Sequence, residues 1–286
     1  MPELPEVETI KLGLIKKVIG KKITKVIVSN KKSFQGKTSD VVGCKIVAVI
    51  RRAKNIQIVL SNKKSVLIHL KMTGQLIYID KKARVAGGHP SHDWHDELPN
   101  KYTRVEYIFD NNAHLFFNDL RKFGWCKVMN QKDIEIAFSK FGPEPFSKEF
   151  NINYLQARAK SLPNRTIKQF LMDQTIVAGI GNIYNDESLF LSKIHPRTKV
   201  QKLKEKDWAI IIKNVLKVLS KGIKYGGTTD SDYVNAEGKS GGMQDHLNVY
   251  HQTGKECKNG CGGIIERIKI GSRGTYFCPK CQKELK

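Results

Sequence analysis

The first half of the chain contains short stretches in which apolar, often β-branched residues alternate with polar ones. Period-two alternation is typical of half-buried β-strands. We therefore predict a β-sandwich, with strands at Ile23–Val28, Cys44–Ile50, Ile56–Leu60, Ser65–Leu70 and Arg104–Phe109. Ahead of these strands only Val7–Ile19 has helical spacing, so the chain is predicted to open with a helix.

The second half changes to helical spacing after residues 141–150, where Gly142-Pro143-Glu144-Pro145 interrupts both patterns. Helices are predicted at Asn153–Ser161, Thr166–Met172, Asn182–Lys193 and Glu205–Lys224. Residues 226–243 are rich in Gly, Thr, Asp and Ser and are predicted to form a loop. The result is an α+β fold with a β-sandwich domain at 1–140, a linker at 141–150, a helical domain at 151–250 and a terminal module at 251–286.

Charge adds a candidate partner to this picture. The chain has 50 Lys and Arg against 27 Asp and Glu, a formal charge of +23. Such an excess suits a polyanion, although a lysine-rich composition from an AT-rich genome explains it equally well. No apolar run approaches the roughly 18 to 20 residues of a membrane span, and the acidic, proline-containing start differs from a signal peptide. We expect a soluble intracellular protein.

Four of the six cysteines lie within the last thirty residues, at Cys257, Cys261, Cys278 and Cys281. Two closely spaced pairs, separated by residues 262–277, supply four thiolates for a tetrahedral zinc ion. Alternation in Ile264–Ile270 followed by a glycine-containing turn predicts a β-hairpin between the pairs. We predict one structural zinc ion, because four thiolates leave no position for a catalytic water. Reactive free thiols are the alternative, and His246 or His251 could replace one ligand.

The N-terminus, Met1-Pro2-Glu3-Leu4-Pro5-Glu6, offers a candidate nucleophile. Removal of Met1 would expose the secondary amine of Pro2. A terminal amine has a pKa of about 8, so part of it is neutral at pH 7 and can attack an aldehydic sugar carbon. Glu3 is close enough to move protons. The same peptide also suits an ordinary helix start, and taken alone it favours that interpretation.

A glycine turn opens the predicted helix at Asn182, in the sequence Gly179-Ile180-Gly181-Asn182. Backbone amides at a helix start, together with the Asn182 side chain, suit a phosphate group. Glycine followed by a helix-capping Asn is also common without any ligand.

These segments together resemble one family. The matching blocks, in chain order, are Pro2–Thr9, Arg51–Lys54, His69–Gly74, Asn118–Gly124, Gly142–Pro145, Gly179–Tyr184, Gly226–Thr229 and the cysteine hairpin. Over its whole length the chain resembles the formamidopyrimidine-DNA glycosylase and endonuclease VIII family. The first block and the 226–243 loop are more similar to the formamidopyrimidine branch.

The resemblance implies a bifunctional DNA glycosylase and AP lyase of base-excision repair. Pro2 would attack the sugar C1′, expel the damaged base, and form a Schiff base that permits strand cleavage by β,δ-elimination. Glu3 would donate and accept protons at the sugar. Lys54 would lie near the phosphate of the damaged nucleotide and assist proton transfer, although without the resemblance it would be an exposed strand lysine.

The resemblance also implies residues that hold DNA with the damaged nucleotide flipped out. Met72, Arg121 and Phe123 match the residues that fill the gap in the duplex, whereas without the resemblance Met72 and Phe123 would be core residues. Further phosphate contacts are expected from His69, Lys168, Asn182 and Arg273, with Arg273 binding the lesion phosphate from the tip of the zinc hairpin. His69 could equally be a structural histidine.

The chain departs from the family pattern at three of these positions. Leu120 replaces a common proline, Lys122 replaces a second arginine, and the first cysteine pair has three intervening residues where two are usual. The substitutions at 120 and 122 bear on how Arg121 is held. The longer spacing bears on the first turn of the hairpin but leaves the four ligands in place.

The expected partner is damaged double-stranded DNA, bound by a monomer in the cytoplasm of a prokaryote or in a nuclear or viral compartment. Oxidised purines, 8-oxoguanine and formamidopyrimidines, are the first choice of lesion because the 226–243 loop resembles the loop that covers 8-oxoguanine. Three alternatives stay open: an endonuclease VIII-like preference for oxidised pyrimidines, a non-catalytic zinc-finger DNA-binding protein, and a zinc-ribbon RNA-binding module.

Overall fold

The computed structural model describes residues 1–81, 84–88, 98–228 and 241–285. Backbone proximity divides the chain into two compact units. The N-terminal unit comprises residues 1–139 and 222–244, and the C-terminal unit comprises residues 140–221 and 245–286. The described ends of the 226–243 loop therefore group with the N-terminal unit, whereas the sequence analysis assigned that loop to a domain at 151–250.

The N-terminal unit contains two five-stranded sheets. In the first sheet the order is β1 (Ile23–Val28), β8 (Thr103–Phe109), β9 (His114–Asp119), β6 (Gly74–Ile79) and β7 (Arg84–Gly88). In the second the order is β2 (Phe34–Gln35), β10 (Trp125–Met129), β5 (Ser65–His69), β4 (Asn55–Leu60) and β3 (Ile46–Arg52). All neighbouring strands are antiparallel except β2 and β10, which are parallel.

The opening helix α1 (Leu4–Val18) completes the core of this unit. Its apolar residues recur on one face, and Val7, Ile10 and Leu14 are buried in the same cluster as side chains from both sheets. The helix begins three residues earlier than predicted because Pro5 fits a first helical turn, where no backbone N–H is needed. A second helix, α2 (Gln131–Ser139), follows the last strand.

The C-terminal unit is mainly helical. It contains α3 (Ile152–Lys160), α4 (Ile167–Met172), α5 (Asn182–Leu191), most of α6 (Glu205–Lys224) and a hairpin of β11 (Glu266–Ile270) with β12 (Arg273–Phe277). Asn151 and Thr166 cap α3 and α4 by accepting the backbone N–H of Tyr154 and Gln169. Aromatic contacts such as that between Phe170 and Trp208, with ring centroids 5.6 Å apart, fill its core.

The predicted α+β fold is confirmed, with its sandwich, opening helix, helical region and terminal hairpin. Strand β1 and helix α6 have the predicted bounds, and the other predicted elements differ by a few residues. Strands β6 and β9 were not predicted, because their sequences, GQLIYI and HLFFND, contain apolar runs without polar alternation. Among the described residues, no helix is both long enough and apolar enough to cross a membrane.

Candidate active site and zinc centre

The first residues of the chain are held by a buried carboxylate. Pro2 and Glu3 are buried, whereas Met1 is 39% exposed. The backbone N–H of Glu3 donates to Glu6 Oε2 at 2.8 Å, and the backbone N–H of Thr228 donates to Glu6 Oε1, also at 2.8 Å. Glu6 therefore joins the start of α1 to the residues that open the 226–243 loop.

The described ends of this loop lie side by side. The N–H of Gly242 donates to the carbonyl of Tyr225 at 2.8 Å, and the N–H of Met243 donates to the carbonyl of Gly227 at 3.1 Å. Gly241 must lack a side chain, because a Cβ there would overlap the Gly227 carbonyl. Residues 229–240, which carry the resemblance to the loop that covers 8-oxoguanine, lie outside the described residues.

Lys54 lies in the turn between β3 and β4 and is 6% exposed, so it is not the exposed strand lysine expected from composition alone. The preceding Ala53 is also buried and has φ +52°, a left-handed conformation that costs energy for a residue with a Cβ. Arg51 supports this turn by donating from Nη1 to the Ala53 carbonyl at 3.0 Å and from Nε to Glu8 at 2.7 Å.

The Glu8 carboxylate ties this turn to α1. Burial acts to raise the pKa of the Glu8 carboxyl, but hydrogen bonds and charges from Lys11 and Arg51 outweigh it, so the pKa is lowered. Glu8 is therefore ionised at neutral pH. The turn that presents Lys54 is anchored to the same helix that begins beside Pro2.

His69 is a neutral imidazole with a defined tautomer. Burial lowers its pKa to about 3, and the positive charges of Lys71 and Lys54 act in the same direction. Its Nδ1 accepts the backbone N–H of Lys71 at 3.0 Å, so the proton is assigned to Nε2. His69 can therefore donate one hydrogen bond to a phosphate but adds no positive charge, and its ring lies 5.8 Å from that of Trp125.

The predicted gap-filling residues are on the surface of the N-terminal unit. Phe123 is 54% exposed and Met72 is 37% exposed, which excludes the alternative that they are core residues. The Arg121 guanidinium lies 4.7 Å from the centre of the Phe123 ring, a cation–π distance. Two exposed apolar side chains and a guanidinium are thus presented by two turns of the same unit.

In the C-terminal unit, the glycine turn before α5 meets the hairpin. Asn182 Nδ2 donates to the carbonyl of Gly274 at 2.9 Å, next to the exposed Arg273. Within the part of the chain that the structure describes, the buried Oδ1 of Asn182 has no hydrogen-bond partner. This contact brings Asn182 and the turn that carries Arg273 together.

Lys168, for which a phosphate contact is predicted, forms a buried ion pair in the C-terminal unit. Lys168 is 1% exposed, and its ammonium donates to the fully buried carboxylate of Asp186. Burial acts to raise the pKa of Asp186, and the Lys168 charge opposes that change. The other Asp186 oxygen accepts the backbone N–H of Tyr276 at 3.0 Å. Lys168 therefore supports the packing of α4, α5 and β12 instead of presenting a charge at the surface.

Four buried carboxylates accept backbone N–H groups, and none of them was predicted. Each carboxylate fixes the backbone of a turn, loop or strand in its own unit. They are Glu6, Asp119, Asp186 and Glu187. Glu6 had a local signal, since a Glu three residues after the helix cap is a capping pattern. Asp119 accepts from Arg121 and Gly124, which lie in the turn that follows it. Asp186 and Glu187 accept from Tyr276 and from residues 248–250, which are distant in sequence, so spacing alone could not reveal those two.

The four terminal cysteines converge on one point. All four Sγ atoms lie within 4.8 Å of one another, with 3.7 Å between Cys257 and Cys281 and 3.6 Å between Cys261 and Cys278. Zinc–sulfur bonds of about 2.3 Å in a tetrahedron place neighbouring sulfurs about 3.8 Å apart. The donor set and its spacing therefore fit a zinc ion.

Comparison with known proteins finds three family models that match successive parts of the chain. The family model described as the formamidopyrimidine-DNA glycosylase N-terminal domain matches residues 1–126, the one described as its H2TH domain matches residues 141–234, and a zinc finger found in FPG and IleRS matches residues 254–283. The four converging thiolates and the zinc-finger match together establish one structural zinc site.

Whole-chain comparisons agree. The formamidopyrimidine-DNA glycosylase of Prochlorococcus marinus strain MIT 9301 is 38% identical over 309 aligned positions that cover 99% of this chain and all of the relative. A mutant Lactococcus lactis FPG bound to Fapy-dG-containing DNA has a TM-score of 0.87 at 31% identity. The L. lactis Fpg bound to abasic-site DNA has a TM-score of 0.86 at 31% identity. Both alignments cover 99% of this chain and 100% of the solved chain. The chain therefore belongs to the formamidopyrimidine-DNA glycosylase family.

Proposed function

We propose that this protein is a bifunctional DNA glycosylase and AP lyase that removes oxidised bases from damaged duplex DNA. The observation that carries the proposal is the N-terminus. Pro2 is buried beside Glu3, and Glu6 fixes the same turn to the start of the 226–243 loop. A helix start used only for structure needs no such link between the terminus and a distant loop.

The proposed chemistry begins when Met1 is removed and the Pro2 nitrogen attacks C1′ of the damaged nucleotide. The bond from C1′ to the base breaks, and the base leaves with that electron pair and a proton. Opening of the sugar gives an iminium between Pro2 and C1′, with Glu3 moving the proton to the ring oxygen. Elimination of the 3′ and then the 5′ phosphate cleaves the strand, and water finally releases Pro2.

Lys54 and His69 complete the groups around the sugar phosphate. Lys54 lies in the turn anchored to α1 through Arg51 and Glu8, which supports a fixed position near the nucleophile's helix. Asn55, which directly follows Lys54, pairs with His69 across β4 and β5, so Lys54 lies next to the strand position opposite His69. We propose that Lys54 supplies charge and assists proton transfer, while His69 donates a hydrogen bond from Nε2 to a phosphate oxygen.

Binding of the DNA is proposed to use groups from both units. Met72, Arg121 and Phe123 would occupy the space that the flipped nucleotide leaves, since apolar side chains and a guanidinium can replace lost stacking and pairing. Asn182 and Arg273 would bind backbone phosphate, with the zinc site fixing the hairpin that carries Arg273. Oxidised purines are the proposed lesions, supported by the family and by its relative bound to Fapy-dG-containing DNA.

Blocking the N-terminus tests this function. Borohydride reduces the iminium to a stable covalent complex, so protein with a free Pro2 amine should be trapped on lesion-containing DNA. A form that retains Met1 or is acetylated on Pro2 should bind the DNA but form no complex. The control is protein with an extension of equal length at the C-terminus. Trapping and cleavage by the blocked form at the rate of the free form would contradict the mechanism.

A panel of single-lesion duplexes tests the substrate. Excision should be faster for 8-oxoguanine and formamidopyrimidines than for oxidised pyrimidines, with the same duplex lacking a lesion as the control. Preference for oxidised pyrimidines would replace the proposed lesion class and leave the Pro2 chemistry in place.

A further inference from the structure

The two turns that carry the proposed gap-filling residues are joined through one carboxylate. Asp119, the last residue of β9, is fully buried. Its Oδ1 accepts the hydroxyl of Thr73 at 2.5 Å and the backbone N–H of Arg121 at 3.2 Å. Its Oδ2 accepts the backbone N–H of Gly124 at 2.6 Å. Thr73 directly follows Met72, and Gly124 directly follows Phe123, so the carboxylate contacts both turns.

Thr73 strengthens this link from the other side. Its hydroxyl oxygen also accepts the Arg121 N–H, at 3.0 Å, while its hydrogen is donated to Asp119. The backbone of Asp119 is itself fixed, because Arg104 Nε donates to the Asp119 carbonyl at 2.8 Å. Met72 is therefore connected to Arg121 through one side-chain hydroxyl and one carboxylate, without any direct contact between their side chains being needed.

Both turns have a conformation that needs support. Lys71, just before Met72, has φ +54°, and Lys122, between Arg121 and Phe123, has φ +60°. Left-handed backbone is sterically unfavourable for residues with a Cβ. Charge-assisted hydrogen bonds to a buried carboxylate are strong enough to offset this cost.

We infer that Asp119 and Thr73 are positioning residues that couple Met72 to Arg121 and Phe123, so that the three side chains enter the duplex together. The inference rests on the proposed function, because it assigns a means of coordination to residues proposed to fill the gap. Neither Asp119 nor Thr73 needs to touch DNA. Their role is to make insertion of one turn depend on insertion of the other.

A double-mutant cycle tests the coupling. Met72→Ala, Arg121→Ala and the double variant are compared for single-turnover excision and for fluorescence of 2-aminopurine opposite the lesion, which reports loss of stacking. In the natural background, the excision rate of the double variant should differ by about fivefold from the rate expected if the losses of the two single variants multiplied, as for coupled sites. The Thr73→Val background removes the hydroxyl at nearly constant volume, and the losses should then become additive. Thr73→Ser should restore the coupling.

Thr24→Val is the matched control, because Thr24 also donates its hydroxyl to a single acceptor, the Ile108 carbonyl, on an exposed strand of the same unit. It should leave the coupling unchanged. Asp119→Asn provides a second test, since an amide has only one acceptor oxygen for three donors. If it folds, coupling should again be lost; if it does not, the Thr73 series decides.

The possible failures are distinguishable. Absence of borohydride trapping by the natural protein would refute the proposed function itself. Normal trapping with additive losses already in the natural background, or coupling that persists in Thr73→Val, would overturn the inference alone.

Discussion

The two arginines proposed to contact DNA are presented by turns that are held in different ways. Arg121 lies in a turn fixed by the Asp119 carboxylate, which accepts N–H groups from its first and last residues. Arg273 begins the second strand of a hairpin whose base converges on four cysteine sulfurs. The turn at the edge of the large sheet is held by a buried acceptor from that sheet. The hairpin also has a buried acceptor, Asp186, for its Tyr276 N–H, but its base is formed by the zinc ligands, because so short a segment has a small core.

The two turns also differ in the residue that occupies their left-handed position. The left-handed position is Lys122, with φ +60°, in the carboxylate-held turn and Gly271, with φ +58°, in the metal-held hairpin. Glycine adopts this conformation without steric cost, and lysine does not. The turn with strong backbone hydrogen bonds therefore also carries the strained residue.

Removal of the zinc ion should have the largest effect, because it should disorder the hairpin that carries Arg273 and leave the Arg121 turn folded. Chelation of zinc, or Cys278→Ser, should disorder the hairpin, because structural zinc contributes on the order of 10 kcal/mol to the folding of small zinc modules. Hydrogen exchange should show lost protection of the Tyr276 N–H and retained protection of the Gly124 N–H. Lost protection at both amides would contradict the independence of the turns. Restored protection after zinc is added back is the control for irreversible damage.

Removing each arginine should change different properties of binding. Arg273→Ala should weaken binding to all duplexes alike. It should also reduce the slope of log binding constant against log salt concentration by about one, as expected for the loss of one phosphate contact. Arg121→Ala should change the preference for the base opposite the lesion, with differences of about 1–3 kcal/mol. Titrations at several salt concentrations with four opposing bases measure both. Identical profiles for the two variants would remove the distinction.

The neutral imidazole beside the Arg121 turn should make folding sensitive to acid. The pKa of His69 is lowered from 6.5 to about 3 by burial, so between these values the unfolded chain binds a proton that the folded chain does not. Stability is therefore highest above pH 6.5 and falls as the pH is lowered toward 3. From pH 6.5 to 5 this contribution is about 2 kcal/mol.

His69→Asn should flatten that part of the stability curve, because Asn can accept the Lys71 N–H but does not titrate. Urea unfolding at pH 6.5 and 5 measures the difference. His251→Asn, at an exposed position, is the matched control. An unchanged pH dependence in His69→Asn would show that His69 is not the responsible group.

The smallest expected effect concerns the left-handed residues. Lys122→Gly should stabilise the protein and Gly271→Ala should destabilise it, each by about 1 kcal/mol, because only glycine avoids the steric cost. Among the residues that the structure describes, a Cβ on Gly271 would meet only Gln169 Nε2, at an ordinary 3.4 Å, so strain and not collision decides that result. Thermal unfolding of the two variants measures the direction of each change in stability. If both substitutions changed the stability in the same direction, the left-handed φ would not be the cause of the effect.

The sequence predicted those features that depend on short spacing. The cysteine pairs gave the zinc ligands, and alternation gave β1, because one face of that strand meets solvent. Strands β6 and β9 contain apolar runs without such alternation and were missed. The buried ion pair of Lys168 could not be predicted, because its partner, Asp186, lies on another helix and only three-dimensional packing shows that the ammonium is paired.

The Glu6 carboxylate has a consequence for how this chain can vary in evolution. Its two oxygens accept two different amides, those of Glu3 and Thr228, in a site that is only 3% exposed. Glutamine offers one acceptor and one donor, and aspartate is one methylene shorter, so either substitution leaves a buried N–H unsatisfied at a cost of about 1–3 kcal/mol. A substitution of Glu6 therefore requires compensating changes at the segments of both Glu3 and Thr228. We expect Glu6 to be retained while the sequence around it diverges.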